Sequence, residues 1–343
     1  MLETSVTLSV IIPIYNEEEV IPELNSRLRA MLDTIGESWE VVFINDGSSD
    51  KSAEMLDELA SKESRYRVLH FSRNFGHQMA ITAGTDYANG EAVVIIDADL
   101  QDPPEVIVAM VKKWREGYDV VYGVRTQRAG ETLFKRVTAA MFYRVMRAMV
   151  GIDIPLDTGD FRLMSHRAVL ALRGLREAHR FVRGMVVWVG FKHTAVHYSR
   201  LERFAGETKY PLSKMLRFAI DGITSFSTVP LRISSYLAAV LGGGVLVLAA
   251  WSLWVRFIHG SAVPGWTSTL LVVTLVAAPQ FLMIGILGEY VGRIYEEVKR
   301  RPLYLVRDKR NIGAIPQPTE PTRQECSNCD TEQSAEAQGG IER

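Results

Sequence analysis

The chain has 343 residues, a formal net charge of −1 at pH 7 and two cysteines. This length accommodates one large domain and a smaller part, and the near-zero charge gives no reason to expect a nucleic-acid partner. Cys326 and Cys329 form a single CxxC pair in a polar tail. We therefore expect neither a disulfide framework nor a zinc site, which fits a reducing compartment.

Apolar runs alternate with helical patterns over the first 200 residues or so of the chain. The runs predict strands at Leu8–Ile14, Trp39–Asn45, Arg67–Ser72, Ala92–Asp97 and Asp119–Val124, with helices at Val20–Thr34, Ser52–Lys62, Gln78–Asn89 and Pro104–Gly117. A helical stretch at Thr132–Val150 and strand-like segments at Phe161–Met164 and Thr194–Ser199 follow. This alternation is typical of βαβ units, so we predict an α/β fold with a mostly parallel sheet.

Polar residues follow the first two predicted strands. After the first strand, the ring of Tyr15 could pack on a nucleobase and the carboxylate of Glu17 could accept from base N–H groups. After the second strand, Asp46 could accept a hydrogen bond from a base or a ribose. Turn chemistry alone, with Gly47 and the serines capping the next helix, is the alternative interpretation of these motifs.

The stretch Ala92–Glu105 reads AVVIIDADLQDPPE and carries the most chemical information. Its apolar run suits a strand buried on both faces, which places Asp97, Asp99 and Gln101 at the carboxyl end, where open α/β sheets bind ligands. Oxygen ligands there suit Mg²⁺ or Mn²⁺ bridging a diphosphate. The alternative is a helix start capped by Asp102 and opened by two prolines, and both interpretations can hold together.

Acidic ends on predicted strands 1, 2 and 4 indicate one shared crevice. The sequence has neither a G-x-G-x-x-G motif after the first strand nor a G-x-x-x-x-G-K-[ST] motif, so dinucleotide redox chemistry and P-loop phosphate binding lose support. No histidines and cysteines are clustered at zinc spacing. A metal site would then be lined by oxygen and completed by the phosphates of the substrate.

Two uncharged segments, Ile233–Trp254 and Trp266–Gly288, are each long enough to cross a membrane as a helix. Two buried core helices are the alternative. Basic residues flank the pair, whereas the connector between the segments carries few. The positive-inside rule then predicts a multi-pass protein of the inner (plasma) membrane, with the catalytic domain and both termini in the cytoplasm.

The segment Pro211–Arg232 is amphipathic and mildly basic, which predicts helices on the membrane surface; a soluble helix covering the catalytic domain is the alternative. Glycines in the first span permit a homo-oligomer without requiring one. The predicted parts are a catalytic domain (1–205), interface helices (206–232), a transmembrane hairpin (233–290), a cytoplasmic juxtamembrane segment (291–312) and a disordered tail (313–343).

The motifs PIYNE, NDGSSD and DADLQDPPE, in this order, resemble the family 2 glycosyltransferases of GT-A fold. The segments SRNFGHQMAITAGTDYA, TGDFRLM and GETKYPLSKMLRFAIDGITSFS narrow the resemblance to the polyprenyl-phosphate sugar transferases. That group includes dolichyl-phosphate mannose synthase, and the chain is most similar to its bactoprenol (undecaprenyl-phosphate) glucosyltransferase branch. The resemblance covers roughly residues 6 to 310 and implies a Rossmann-like catalytic domain followed by interface and membrane helices.

The resemblance also implies roles for individual residues. The base and ribose would be held by Pro13, Tyr15, Glu17, Ile44 and Asp46, and the diphosphate and metal by Asp97, Ala98 and Asp99, with Asp99 and Gln101 as direct ligands. Phosphate-binding cations would be Arg125, Arg203 and Lys209. Asp160 and Arg162 would lie beside the acceptor site as catalytic residues together with Asp99. One departure is His77, where the resemblance predicts a lysine.

The activity that the resemblance implies is inverting, metal-dependent transfer of a hexose to undecaprenyl or another polyprenyl phosphate at the cytoplasmic face. Glucose from UDP-glucose is favoured; mannose from GDP-mannose, N-acetylglucosamine or a modified pentose are the alternatives. A processive polysaccharide synthase is disfavoured because the sequence has no Q-x-x-R-W element and only two predicted spans. A non-catalytic membrane scaffold is the alternative from another class.

Overall fold

The computed structural model describes residues 6–126, 158–199, 227–259 and 265–313. The elements in chain order are β1 (Leu8–Ile14), α1 (Ile21–Ile35), β2 (Trp39–Asn45), α2 (Ser52–Lys62), β3 (Tyr66–Phe71), α3 (His77–Tyr87), β4 (Ala92–Ile95), α4 (Val106–Arg115), β5 (Val120–Arg125), β6 (Thr158–Ser165), α5 (His166–Gly174), α6 (Val182–Trp188), β7 (His193–Tyr198), α7 (Val229–His259), α8 (Trp266–Lys299) and β8 (Val306–Arg310).

The strands form one sheet in the order β7-β5-β6-β4-β1-β2-β3-β8. β1 pairs in parallel with β2 and β4, and β6 runs antiparallel between β4 and β5. Every residue of β1 and β2 is buried, which explains why these strands read as nearly unbroken apolar runs. The predicted α/β fold with a mostly parallel sheet is therefore confirmed.

The last strand, β8, follows the two long helices in the chain but pairs antiparallel with β3. Asn311, just after it, donates from Nδ2 to two backbone carbonyl oxygens at 2.7 and 2.9 Å. Tyr304, just before it, stacks on Phe71 with ring centroids 5.2 Å apart. The segment 291–312, which we expected to be only juxtamembrane, thus contributes a strand to the sheet of the N-terminal domain.

The helices α7 and α8 are long, apolar and exposed. Among the described residues, two segments are long and apolar enough to cross a membrane, Val229–Leu248 and Leu275–Lys299, with 6% and 0% of their apolar windows buried. Large apolar side chains such as Phe257 and Phe281 face outward, at 82% and 74% exposure. The alternative of two buried core helices is therefore wrong, because core helices bury such side chains.

Several predicted features lie outside the described residues. They are the helix Thr132–Val150, residues 211–226 of the amphipathic segment, the cations Arg203 and Lys209, and the cysteines Cys326 and Cys329.

Candidate active site

Three loops that carry predicted site residues leave the same edge of the sheet. β4, β1 and β2 are neighbours and run parallel, so their carboxyl ends lie side by side. Carboxyl ends of this kind are where open α/β sheets bind ligands. The adjacency that a crevice at strand ends 1, 2 and 4 requires is therefore present.

Hydrogen bonds link the loops after β1 and β2. Asn16 adopts a left-handed backbone conformation, with φ of 55°, and its Oδ1 accepts from the N–H of Ser49 at 2.8 Å. The N–H of Glu17 donates to Ser52 Oγ at 3.0 Å. Turn chemistry is thus present in both motifs, and it leaves the ring of Tyr15 half exposed at the edge, where a nucleobase could stack.

Three further predicted nucleotide contacts have buried side chains. Pro13 and Ile44 are partners in the register of β1 and β2, and Ala98 is buried beyond the end of β4. These side chains pack in the interior below the edge of the sheet, so only the backbone of these residues could contact a bound nucleotide.

Asp46 follows β2, and each of its carboxylate oxygens already accepts a backbone hydrogen bond. Oδ1 accepts from the N–H of Phe75 at 2.7 Å and Oδ2 from the N–H of Gly76 at 2.9 Å. Burial raises the pKa of Asp46, although these two hydrogen bonds oppose the shift. In the structure its carboxylate holds the loop between β3 and α3 through these hydrogen bonds. The predicted contact with a base or ribose stays a prediction.

Asp97 lies just beyond β4, and one oxygen of its carboxylate, Oδ1, is buried without a hydrogen bond from the described residues. Burial raises the pKa of Asp97 to about 6; the charge of His77 lowers it, and the carboxylates of Asp160, Asp102 and Asp99 raise it further. A cation at this position would relieve the crowding of negative charge.

The predicted metal ligands fit a site that the substrate completes. Asp99 Oδ1 accepts from the N–H of Gln101 at 3.1 Å, which turns the chain just after Asp97. Within the described ranges, no group of three or more His, Cys, Asp or Glu side chains could hold a metal ion by itself. Mg²⁺ is usually bound through one or two carboxylates and substrate phosphates, and the Oδ1 of Asp97, which accepts no hydrogen bond from the described residues, suits such sharing.

Asp160, in β6, is the centre of a cluster of charged side chains. Arg183 binds it in a bidentate fork, with Nε 2.9 Å from Oδ1 and Nη2 3.0 Å from Oδ2. The fully buried Arg162 approaches Oδ1 at 3.4 Å, and His77 Nε2 lies 3.2 Å from Oδ2. Burial would raise the pKa of Asp160, but the hydrogen bond from His77 and the charge of Arg183 hold it well below its usual range. Asp160 is therefore ionised at every physiological pH.

Arg183 is a member of this cluster that the sequence analysis missed. It lies in α6, a short helix in a region where we predicted no element. The available signal was an arginine inside the apolar stretch FVRGMVVW, since such a charge needs a buried partner.

His77 occupies the position at which the resemblance predicts a lysine. Its Nε2 lies 3.2 Å from Asp160 Oδ2 and 3.5 Å from Asp97 Oδ1, between the two carboxylates. Burial lowers the pKa of His77, but the hydrogen bond to Asp160 and the charge of Asp97 outweigh it and raise that pKa. A protonated imidazole can therefore supply the positive charge that a lysine would bring.

Arg125, the predicted phosphate ligand, is held by a buried acid. Its Nη2 lies 3.3 Å from both carboxylate oxygens of Asp102, which also accepts from the hydroxyl of Tyr198. The helix-capping interpretation of Asp102 is wrong, because α4 begins at Val106 with Glu105 at its N-cap. The acid instead orients the guanidinium of Arg125, which remains partly exposed.

Together these groups place an anionic edge, at Asp97 and Asp99, beside the cations that surround Asp160. Such an arrangement suits a reaction between two anionic substrates, because their mutual repulsion must be relieved before they can meet.

Comparison with known proteins supports this assignment. Residues 9–172 match the model of the family described as glycosyl transferase family 2. The chain is 52% identical over 304 residues to an uncharacterized glycosyltransferase, YkcC, of Bacillus subtilis strain 168, covering 89% of this chain and 94% of that protein. It is 40% identical over 300 residues to the prophage bactoprenol glucosyl transferase homolog of Escherichia coli K12, covering 88% of this chain and 98% of that protein.

Among solved structures, the chain is similar to glucosyl-3-phosphoglycerate synthase from Mycobacterium tuberculosis, with a TM-score of 0.47 and 20% identity over 64% of this chain and 76% of that chain. That likeness is too distant to bear on substrates. The identity to these two relatives extends over most of both chains. The chain therefore belongs to glycosyltransferase family 2.

Proposed function

We propose that this protein is a membrane-anchored, metal-dependent transferase that moves a hexose from a nucleotide diphosphate sugar to undecaprenyl phosphate with inversion. The observation that carries the proposal is the 40% identity, over 88% of the chain, to a bactoprenol glucosyl transferase homolog. On the same ground we favour glucose from UDP-glucose. Mannose from GDP-mannose, N-acetylglucosamine and a modified pentose are the alternatives, since the hydroxyl contacts that select a sugar come from loops.

The acceptor phosphate would act as the nucleophile. It is largely dianionic near neutral pH, so one of its oxygens can attack the anomeric carbon without a general base. The new C–O bond forms on one face of the sugar while the bond to the nucleotide diphosphate breaks on the other, which inverts the configuration. The main requirements are alignment and relief of charge repulsion.

Asp160 would be a positioning residue in this reaction rather than a base. Its depressed pKa makes it a weak proton acceptor, and its carboxylate orients the guanidinium of Arg183 at 2.9 and 3.0 Å. The buried Arg162 forms an ion pair with the same carboxylate, with its Nη2 3.4 Å from Oδ1. Guanidinium forks suit phosphate oxygens, so the exposed part of Arg183 is well placed to receive the acceptor phosphate.

The donor would lie along the edge formed by β1, β2 and β4. The half-exposed ring of Tyr15 offers a surface for the base, and Arg125 offers a guanidinium for the diphosphate. Asp97, Asp99 and Gln101 would hold the metal ion. A bound Mg²⁺ or Mn²⁺ would neutralise the charge that develops on the leaving diphosphate.

The membrane hairpin would keep this site at the surface where the acceptor phosphate emerges. A polyprenyl chain stays in the bilayer, so the enzyme must meet its phosphate at the interface. Because β8 returns to the sheet that the N-terminal residues build, the end of α8 stays beside the catalytic domain. An even number of spans then places both domain-facing ends on one side of the membrane, and the basic residues that flank the spans favour the cytoplasmic side.

The test is a donor panel with purified full-length protein, undecaprenyl phosphate and Mg²⁺ or Mn²⁺. We expect label from one sugar nucleotide, UDP-glucose in the first instance, to pass into the organic phase. Label from another donor would revise the sugar and keep the reaction. Sugar-nucleotide binding without extractable label from any donor would reject the enzyme in favour of the scaffold.

A further inference from the structure

A second cleft lies between the end of α8 and the catalytic domain. It encloses about 730 Å³, enough for a lipid headgroup, and its walls come from the loop before α3, the chain after α5 and residues 296–303. None of the predicted site residues that the structure describes lines it. The cleft is therefore separate from the described residues to which the proposed transfer reaction assigns a role.

Two carboxylates on its wall, Glu296 and Glu297, contact the chain that follows α5. Glu296 forms an ion pair with His179 Nε2 at 2.8 Å, and Glu297 Oε1 accepts from the N–H of Ala178 at 2.7 Å. Both contacts join α8 to the chain that follows α5. These two carboxylates offset only part of the positive charge on the wall, which carries five cations: Arg73, Arg176, Lys299, Arg300 and Arg301.

Four of those cations have no carboxylate partner in the part of the chain that the structure describes: Arg73, Lys299, Arg300 and Arg301. Arg73 lies over the ring of Phe75 at 4.2 Å and Lys299 over a tyrosine ring at 3.9 Å. The remaining cation, Arg176, is paired with Asp86 at 2.8 Å. The cleft therefore carries a net positive charge that its own walls do not compensate.

The position of the cleft indicates what would compensate this charge. It lies at the end of Leu275–Lys299, the second candidate membrane span. The polar end of such a span lies at the level of lipid headgroups, where lysine and arginine attract anionic lipids. Guanidinium groups bind phosphate oxygens in bidentate geometry, so the chemistry of this cleft matches a lipid phosphate.

We propose that this cleft binds the phosphate group of a membrane lipid and thereby seats the catalytic domain against the bilayer. The inference rests on the proposed function only in taking α8 to span the membrane. An anionic phospholipid of the surrounding leaflet and a polyprenyl phosphate share this chemistry, and the experiment separates them.

The experiment uses full-length protein in a neutral detergent, without sugar nucleotide, so that it is independent of turnover. Bound lipid is counted by native mass spectrometry while dioleoyl phosphatidylglycerol, dioleoyl phosphatidylcholine or undecaprenyl phosphate is titrated. The double variant Arg300→Gln/Arg301→Gln removes two cations of the cleft. The control Arg307→Gln/Lys309→Gln removes the same charge from β8, which does not line it.

We expect phosphatidylglycerol to bind the wild type more tightly than phosphatidylcholine. The double variant should bind it about 25-fold more weakly, at roughly fivefold per cation. The control should stay within about twofold of the wild type. Arg73→Gln, on the domain side of the cleft, should lose about fivefold and covers the case in which the double variant does not fold.

A loss confined to undecaprenyl phosphate would support the site and identify the acceptor lipid as its ligand. Two results would overturn the proposal. The first is an equal loss of lipid binding in the double variant and in the control. The second is equal binding of phosphatidylglycerol and phosphatidylcholine by the wild type, together with unchanged binding of undecaprenyl phosphate in the variants. Absence of glycosyl transfer in the donor panel leaves this readout intact, so the two failures are distinguishable.

Discussion

Replacing Asp160 with asparagine is the most informative single perturbation of the site. Asparagine keeps the shape and one acceptor oxygen, but it removes the charge against which Arg162 is buried at 1% exposure. Removing one partner of a buried ion pair costs about 3–5 kcal/mol. Arg183 and His77 are partly exposed and can regain hydration, so we expect the lower end, about 3 kcal/mol. In a domain of this size that lowers Tm by about 6–12 °C.

The assay is thermal unfolding of full-length protein followed by circular dichroism, with glycosyl transfer measured well below Tm. The folded-state pKa of Asp160 is below its unfolded value, so its stabilisation is present above pH 4 or so and is lost only as the pH falls through the folded value. The difference in Tm should therefore be fully present at pH 6. Transfer should fall about 100-fold as Arg183 loses its alignment.

Asp119→Asn is a matched control, because Asp119 is equally buried but pairs with the exposed Arg167 away from the site. We expect it to cost about 1 kcal/mol and to leave transfer unchanged. A Tm of Asp160→Asn within about 2 °C of the wild type at pH 6 would refute the reasoning, since it would mean that no buried charge depends on this carboxylate.

Three further changes test separate parts of the structure. Gly47→Ala should destabilise the fold more than Gly36→Ala. Both residues have φ of 70°, but only at Gly47 would an added Cβ meet backbone atoms, at 2.6 Å. Equal losses of Tm in the two variants would contradict the packing of the loop on Gly47. The Tm difference between wild type and His77→Gln should be largest below pH 6.5 or so and should shrink as the pH rises through the raised pKa of His77. A pH-independent difference would contradict a stabilising positive charge on His77. Asn311→Gly, which tolerates the φ of 55°, should cost about 2 kcal/mol in thermal unfolding by removing the hydrogen bonds to Ala60 in α2 and Tyr66 in β3. An unchanged Tm would show that β8 does not hold the end of α8.

The parts of the fold that the sequence predicts well are those with a strong hydrophobic pattern. β1 and β2 match their predicted ends because every residue is buried, and the two long helices stand out by their uncharged apolar stretches. β4 ends at Ile95, two residues before its predicted end, because pairing with its neighbours stops there. The acidic strand ends were visible because polar residues directly follow those apolar runs.

The parts that escaped prediction depend on contacts between distant residues. β8 reads VRDKR and is mostly exposed, so no apolar pattern marks it, and only its pairing with β3 makes it a strand. Arg183 joins the site through Asp160, a partner 23 residues away in the chain. The hydrogen bonds from the loop before α3 to the carboxylate of Asp46 likewise depend on the fold and not on the neighbours of Asp46 in sequence.

The central claim is that carboxylates at the edge of the sheet hold a cation that makes the diphosphate a leaving group for transfer to a lipid phosphate. The most direct measurement is the initial rate of transfer by wild type and Asp99→Asn, each with Mn²⁺, with chelator, and with Mn²⁺ restored. We predict transfer by the wild type that chelator abolishes and Mn²⁺ restores, and a loss of at least about 100-fold in Asp99→Asn. Transfer that survives the chelator and the substitution would contradict the account.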